Sequence, residues 1–525
     1  MREPYDLEWC RKKRFPETNI THLLTERELG MRREGSNFLK GSREFYQSIS
    51  LCRGEHAVDR VHFFPLRFTP DGSKLIAIAQ NFHEIYIFPY FGVQFGANCT
   101  RNELFNSIFR KRIVVQLINP LGNPRSPENL YFGILSRECA FITPDSRFLI
   151  VSSSFPIPES RSTFNRILRN QESLPPDSHL MNIVFYSIDL EKGQLVDKYK
   201  FDFDEINIQS GVYLLEWTLG ILSVQHQTIH IFRIDKNSGA FVALKQIGPS
   251  VLDDDQLWDY QVNFENELIE QFFTAFRQRF LAFLFKQHST NGTINQFLYE
   301  MDFYTQLKMQ KIQFVGPELI LIRMDLHPRN NDAHSGHQYM FVLLEWRLGQ
   351  IEGIFDKSSS LLFNAFEKFS EGFKNGHLAY NYFPNSMDYC EAPRRQYEAI
   401  IEDQLRLQGE EQTRQRCLAI LPLPNTQHLI SSPYLDPNLF NIDERILFQI
   451  EKGRFQLDQP LKIYNLKTKN CHLKLEFHSD CGRAYPAFYA RVLFHPIDPF
   501  VMSVCRGIQS DFISFYMPKR PTKFI

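Results

Sequence analysis

The stretch Phe68-Thr-Pro-Asp-Gly-Ser-Lys-Leu-Ile-Ala-Ile-Ala79 combines a tight turn with an apolar segment that follows it. Pro70 presets its own φ, Asp71 can bond the backbone of the turn, and Gly72 accepts a positive φ, so the chain reverses here. Residues 84–88, Glu-Ile-Tyr-Ile-Phe, are again apolar and aromatic, as strands prefer. The stretch therefore predicts a turn that leads into two successive strands.

The same unit recurs along the chain. The phrase Thr-Pro-Asp-x-x-x-Leu runs from Thr69 to Leu75 and again from Thr143 to Leu149. Further strand pairs are predicted within 183–199, 219–234, 318–344, 461–477 and 490–516. This cadence is typical of the blade of a WD-type propeller, although the Trp-Asp and Gly-His signatures are largely missing. The sequence predicts an all-β fold, a WD-like β-propeller of about seven irregular blades over residues 61–518.

Each predicted blade is longer than the usual ~40–45 residues, so the excess must lie in insertions. Three insertions have the apolar spacing of helices. They lie near 264–285, with Leu268, Phe272, Phe273 and Phe276, near 359–375, and near 391–418. We expect these helices to pack on the rim of the propeller. The alternative is that one of them forms a groove for a partner.

Composition excludes several classes of protein. Hydrophobic residues make up 43% and charged residues 23% of the 525, as in ordinary globular proteins, and 49 phenylalanines indicate an aromatic core. The net charge of −1 argues against strong non-specific binding of nucleic acid. No apolar run is long enough to span a membrane. With no recognisable signal peptide and no C-x-x-C pair, the nine cysteines predict free thiols in a reducing compartment.

Catalytic signatures such as G-x-S-x-G, G-x-x-x-x-G-K-[ST], G-x-G-x-x-G and H-E-x-x-H do not occur. His226 and His230 fall on one predicted strand, where four residues span about 13 Å, too far to share a metal ion. Two further groups have spacings that match no recognised zinc site: His334 with His337, and Cys471 with His472, His478 and Cys481. The sequence therefore predicts a non-catalytic protein without a cofactor.

The N-terminal region has a different character from the strands. Residues 1–17 are predicted to form a polar tail. The tail contains a basic run, which indicates nuclear import or phosphate contact; the alternative is a solvated charge run. The run consists of Arg11, Lys12, Lys13 and Arg14. Residues 31–60 are predicted to be a linker, and residues 519–525 form a second, shorter basic tail.

Residues 18–30 are predicted to form one amphipathic helix. Ile20, Leu23, Leu24 and Arg27 follow the i, i+3, i+4, i+7 spacing of one helix face. Thr18 or Asn19 can cap the start, and Gly30 can end the helix. A helix of about three turns is marginal in water, so its apolar face needs a partner. That partner is either another protein or the strands of this chain.

Several phrases resemble segments of the De-etiolated family. They are Phe68-Thr-Pro-Asp-Gly72, residues 137–141, 221–232, 432–440 and 494–504. The resemblance runs from about residue 19 to the C-terminus, in order and with similar gaps, and the divergent phrasing favours an animal member. It implies a non-catalytic, nuclear component of a cullin-RING ubiquitin ligase. The implied partners are the damaged-DNA-binding protein one adaptor and the constitutively photomorphogenic ligase.

The resemblance also links the chain to transcriptional repression through histones and chromatin. A second hypothesis is therefore a chromatin-bound repressor that contacts histones or promoter DNA directly. Both hypotheses hold together if ubiquitination is how repression is delivered. A hydrolytic propeller enzyme is a third possibility, which the missing motifs disfavour.

The family resemblance gives the N-terminal helix a specific partner. Many receptors for that adaptor carry a helix that reads roughly Ile-x-x-Leu-Leu-x-x-Arg-Glu-x-Gly and inserts into a cleft between two of the adaptor's propellers, a helix-in-groove mode of recognition. This sequence matches at Ile20, Leu23, Leu24, Arg27, Glu28 and Gly30. The resemblance therefore implies that these six residues bind the adaptor.

Overall fold

The structure is a computed structural model, and strand residues dominate the part of the chain that it describes. It describes residues 53–55, 60–61, 63–92, 101–109, 112–117, 133–157, 173–174, 180–248, 275–326, 339–356, 362, 440–442, 455–456, 461–465, 471–475, 489–496, 498, 500–506 and 511–517. This confirms the prediction of an all-β fold.

The strands of the N-terminal half form meanders. Two short strands, β1 (Arg53–Glu55) and β2 (Arg60–Val61), come first. Sheet I contains β3 (Phe63–Phe68), β4 (Lys74–Ala79), β5 (Glu84–Pro89) and β6 (Ile113–Gln116). Sheet II contains β7 (Ile134–Ile142), β8 (Phe148–Pro156), β9 (Met181–Asp189) and β10 (Gln194–Asp204). Sheet III contains β11 (Val212–Leu215), β12 (Thr218–Ser223), β13 (Thr228–Ile234) and β14 (Phe241–Ile247).

Three further sheets follow. Sheet IV contains β15 (Leu307–Phe314), β16 (Leu319–Leu326), β17 (Tyr339–Glu345) and β18 (Gln350–Asp356). Sheet V contains β19 (Phe440–Ile442), β21 (Leu461–Asn465) and β22 (Cys471–Leu475), while β20 (Phe455–Gln456) pairs elsewhere. The terminal sheet joins β20, β23 (Tyr489–Phe494), β24 (Val501–Arg506) and β25 (Asp511–Met517). All the pairings in sheets I to IV are antiparallel between consecutive strands.

The first and last parts of the described chain share the terminal sheet. Both β1 and β2 pair with β25, with Gly54 opposite Tyr516 and Val61 opposite Asp511. Arg53–Glu55, near the C-terminal end of the predicted linker 31–60, is a strand. A strand of three residues is too short to show the alternating pattern of a strand in the sequence. This strand forms because it pairs with β25.

Neighbouring sheets pack against one another through a few strands. The contacts join β23 with β3, β3 with β7, β10 with β14, and β15 with both β11 and β12. Residues 75–79 of β4 are all buried, as expected for a strand covered on both faces. The described residues form six sheets, so the prediction of about seven propeller blades stays a prediction.

Three helices interrupt the sheets. They are α1 (Arg101–Ile108), α2 (Ala275–Thr290) and α3 (Ile294–Gln306). Helix α2 overlaps the insertion predicted near 264–285 from residue 275 onward and continues beyond it. The sequence analysis did not predict α1 or α3. Apart from Leu362, the insertions predicted near 359–375 and 391–418 lie outside the described residues.

Helix α1 contributes to the aromatic core that the phenylalanine content predicts. Phe105 and Phe109 pack against the Phe88 ring of sheet I, with ring centroids 5.3 and 6.4 Å away. Phe109 also contacts Phe500 beside the terminal sheet at 6.4 Å. All four rings are buried. The helix therefore joins sheet I to the terminal sheet. Within the described ranges, no helix is both long and apolar enough to cross a membrane.

The two Thr-Pro-Asp turns are held by the same hydrogen bonds. The Oγ1 atom of Thr69 accepts a bond of 3.0 Å from the N–H of Lys74, and Thr143 Oγ1 accepts one of 3.0 Å from the N–H of Phe148. Both threonines are fully buried. In each case the hydroxyl satisfies a backbone donor at the start of the next strand.

We predict that Thr143→Val lowers the free energy of unfolding by about 1–3 kcal/mol, because the buried N–H of Phe148 loses its acceptor while side-chain volume is kept. Urea unfolding monitored by circular dichroism measures this loss. Thr143→Ser keeps the hydroxyl and should retain most of the stability. Equal losses in both variants would contradict the role assigned to the hydroxyl.

Candidate functional site

The residues predicted to bind partners lie outside the described residues. They are Ile20, Leu23, Leu24, Arg27, Glu28 and Gly30 of the predicted helix, and Arg11, Lys12, Lys13 and Arg14 of the basic run. The adaptor helix and the import signal therefore stay predictions. The structure does describe most of the phrases that carry the family resemblance. Residues 137–141 lie on β7, and the described parts of 68–72, 221–232 and 494–504 include turns between consecutive strands of one sheet.

The turn between β12 and β13 carries a buried glutamine, Gln227, whose side chain forms the hydrogen bonds that a neighbouring strand would otherwise form. Gln227 is 2% exposed. Its Nε2 donates to the carbonyls of Val224 and Met309 at 2.8 and 3.1 Å, and its Oε1 accepts from the N–H of Met309 at 2.6 Å. Because Met309 belongs to β15, one carboxamide pairs sheet III with sheet IV as a strand residue would.

A second glutamine in this turn fixes a distant segment. The N–H of Leu174 donates to the carbonyl of Gln225 at 2.8 Å, and Gln225 Nε2 donates back to the carbonyl of Leu174. Leu174 is buried in the same apolar cluster as Tyr213 and Ile229 of sheet III. The pair of bonds therefore ties the connection between β8 and β9 to sheet III.

The two histidines of this phrase do not form a metal site. His226 lies in the turn before β13 rather than on a strand as predicted, and its N–H donates to Ser223 Oγ at 3.2 Å. His230 lies on β13, and its ring centroid is 5.0 Å from that of Phe201. Across the described residues, no three or more His, Cys, Asp or Glu side chains are grouped in a way that could hold a metal ion.

A third turn, between β23 and β24, resembles the two Thr-Pro-Asp turns but has a histidine in place of the threonine. The N–H of His495 donates to the carbonyl of Phe500 at 2.9 Å, just as the N–H of Thr69 donates to Lys74 at 2.8 Å. The His495 Nδ1 accepts from the N–H of Asp498 at 2.8 Å, and Nε2 lies 2.8 Å from the carbonyl of Gly72. A carbonyl can only accept, so Nε2 carries the proton and the imidazole is neutral.

These turns connect three sheets in a row. His495 of the terminal sheet bonds Gly72 of sheet I, and the N–H of Asp71 bonds Ser146 Oγ of sheet II at 3.2 Å. Gly72 has a φ of +73°, and an added Cβ would lie 2.5 Å from His495 Cε1. Only glycine therefore allows both this turn and the close approach of the imidazole.

The surroundings of His495 disfavour its charged form. Burial lowers the pKa of His495, and the bond to Gly72 and the carboxylates of Asp498 and Asp71 oppose this only in part. The ring is 4.2 Å from that of Tyr90, and burial followed by the Asp498 carboxylate raises the pKa of Tyr90. The junction is therefore built around a neutral imidazole.

Ionisable residues also gather at the α2–α3 hairpin. The hydroxyl of Tyr304 donates to Glu300 Oε2 at 2.5 Å and lies 3.5 Å from His288 Nε2. The other ring nitrogen of His288 lies 2.8 Å from Thr293 Oγ1. Burial, then the Glu300 carboxylate, raises the pKa of Asp356 nearby. The contact of His288 with Tyr304 joins α2 to α3, and the bond of His288 to Thr293 joins α2 to the turn between the helices, which are structural roles.

Helix α2 also lies beside β18, the outer strand of sheet IV, and the space between them is a groove of about 730 Å³. Arg279 Nη1 donates to the carbonyl of Gly349 at 3.4 Å at one end of the groove. The sequence shows the helical spacing of α2, but no periodicity indicates that β18 packs next to it. The groove therefore could not be predicted from the sequence.

Together, the successive sheets, the hydrogen-bonded turns within them and the groove define a β-sheet scaffold. The model of the De-etiolated protein 1 family matches residues 137–519, most of the chain. The chain belongs to the De-etiolated protein 1 family, as its phrases predict.

Curated relatives agree with this assignment over nearly the full length. Light-mediated development protein DET1 of Solanum lycopersicum is 24% identical over 538 residues, which cover 93% of this chain and 97% of the relative. The protein of the same name from Arabidopsis thaliana is 22% identical over 559 residues, with the same two coverages. Among solved structures, a luciferin-regenerating enzyme aligns over 59% of this chain and 78% of its own at 6% identity, but its TM-score of 0.21 is too low to transfer fold or function.

We predict that Gln227→Leu destabilises the protein by about 1–3 kcal/mol for each of the two backbone groups of Met309 that it leaves unpaired. Thermal or urea unfolding measures the change. Gln194→Leu, at an exposed glutamine that begins β10, should change stability by less than about 0.5 kcal/mol. Similar effects of the two substitutions would show that the carboxamide of Gln227 does not join the sheets.

The His495 junction predicts a pH dependence. Because the folded pKa lies below the unfolded value of about 6.5, the unfolded chain binds a proton first as pH falls. The stabilisation is complete above that value and is lost as pH falls toward the folded pKa. We expect the urea midpoint of the wild type to fall more steeply between pH 7 and 5 than that of His495→Thr, which introduces the residue of the other two turns. Parallel curves would contradict the prediction.

Proposed function

We propose that this protein is a non-catalytic substrate receptor of a cullin-RING ubiquitin ligase, bound to the damaged-DNA-binding protein one adaptor through residues 18–30. The observation that carries the proposal is the pattern Ile-x-x-Leu-Leu-x-x-Arg-Glu-x-Gly from Ile20 to Gly30 in a member of the De-etiolated protein 1 family. The apolar residues of this pattern share one helix face, as helix-in-groove recognition requires.

We infer that the sheets are blades of a propeller. Three features support this: four sheets of four antiparallel strands, contacts between successive sheets, and a terminal sheet that takes strands from both ends of the described chain. A ring of blades needs such a shared sheet because its first and last blades are neighbours. A rigid ring would offer one surface to a substrate while the N-terminal helix reaches the adaptor.

The proposal extends to the setting in which the protein acts. The basic run Arg11, Lys12, Lys13 and Arg14 supports import into the nucleus. There the protein acts with the constitutively photomorphogenic ligase, and ubiquitination of chromatin proteins delivers transcriptional repression. The net charge of −1 favours contact through proteins over strong direct binding to DNA.

We predict that Leu23→Asp combined with Leu24→Asp abolishes co-purification of the full chain with the adaptor, because two charges enter the apolar face of the helix. Affinity purification from cells that express both proteins measures the loss. The urea midpoint of the double variant should equal that of the wild type.

The matched control is His22→Asp combined with Thr25→Asp, which adds the same charge on the opposite face of the predicted helix. This control should still co-purify with the adaptor. Normal binding of the Leu23, Leu24 variant, or equal loss in both variants, would show that the apolar face does not bind the adaptor.

A further inference from the structure

The groove beside sheet IV has one wall of helix and one wall of strand. The helix wall is a single stripe of α2, at the spacing of one helix face: Arg279, Ala282, Phe283, Lys286 and Gln287. The opposite wall is the strand β18, from Gly349 through Phe355. The groove thus runs along the strand for about 20 Å at the usual rise per strand residue.

The strand wall is a sheet edge. On one side β18 pairs with β17, with Phe355 opposite Phe341 and Gln350 opposite Glu345. On the other side, none of the strands that the structure describes pairs with it. Such an edge presents a row of backbone N–H and C=O groups that can accept a further strand. The helix beside it limits access to a single extended chain.

The side chains of the groove define the chemistry of that chain. Phe283 and Ile351 are half-buried and Ile354 is buried, and all three share the apolar cluster beside α2, so they form an apolar floor. The charged residues that line the groove are two cations, Arg279 and Lys286, and one anion, Glu352. The groove therefore complements a segment with apolar residues at alternate positions and an acidic residue toward the helix.

We propose that the groove between α2 and β18 binds an extended acidic peptide segment of a partner protein, which adds to sheet IV as a fifth strand. Backbone hydrogen bonds to β18 supply affinity, as in other cases of strand addition. Alternate apolar side chains fill the floor, and the acidic residue pairs with Lys286. This site does not involve residues 18–30, so it is independent of the proposed adaptor contact.

The test is selection of a phage library of random octapeptides on the purified full chain. Ala282→Trp fills the groove from an exposed position on α2, and Ser289→Trp adds the same ring at an exposed position of α2 outside the groove. We expect enriched peptides that contain an acidic residue with alternating apolar residues. Fluorescence anisotropy with the synthetic peptides should show at least tenfold weaker binding to Ala282→Trp and unchanged binding to Ser289→Trp.

Two further measurements separate strand addition from other modes of binding. Lys286→Glu should weaken an enriched peptide about tenfold, whereas Lys192→Glu, an exposed lysine in the turn between β9 and β10, should not. The peptide should slow hydrogen exchange of those amides of residues 350–356 that do not face β17. The proposal is overturned by equal binding to both tryptophan variants, by no enrichment, or by unchanged exchange on peptide addition. It is also overturned if these amides are already protected in the free chain, because a segment of this chain then fills the groove.

Discussion

The turns between consecutive strands depend on one constraint. Buried backbone donors and acceptors must be paired even where no neighbouring strand is available to pair them. Thr69 and Thr143 meet it with a hydroxyl, His495 with an imidazole and Gln227 with a carboxamide. The last two also reach across to the neighbouring sheet. The same bonds that close a turn therefore set the positions of successive sheets.

This arrangement assigns a structural role to the described phrases that identify the family. The side chains of Gln225, Gln227 and His495 form hydrogen bonds with backbone groups of neighbouring segments or sheets. A scaffold fixed in this way leaves interaction to its periphery. The exposed edge of β18 with its covering helix is one such peripheral surface, and the N-terminal segment is proposed to be another.

Much of the fold and part of the candidate sites could be predicted from the sequence. Strand β4 is a continuous apolar run after Lys74, and β13 and β16 are rich in Ile, Leu and Phe, so strand propensity alone predicts them. Helix α1 has only eight residues, too few to show a clear helical period. Helix α3 does carry Phe297, Met301 and Tyr304 at helical spacing and could have been predicted. The groove was missed because its walls are about seventy residues apart in the chain, as the hydrogen bond between Arg279 and the carbonyl of Gly349 shows.

The sequence alone determined the all-β class, the repeated Thr-Pro-Asp turn and the family, since these rest on local propensity and on short phrases read in order. Only the tertiary structure decided that β1 and β2 complete the sheet of β25, that His495 lies on Gly72, and that β18 faces α2. Those contacts join residues far apart in the chain. They depend on the register and packing of whole sheets, which no local pattern encodes.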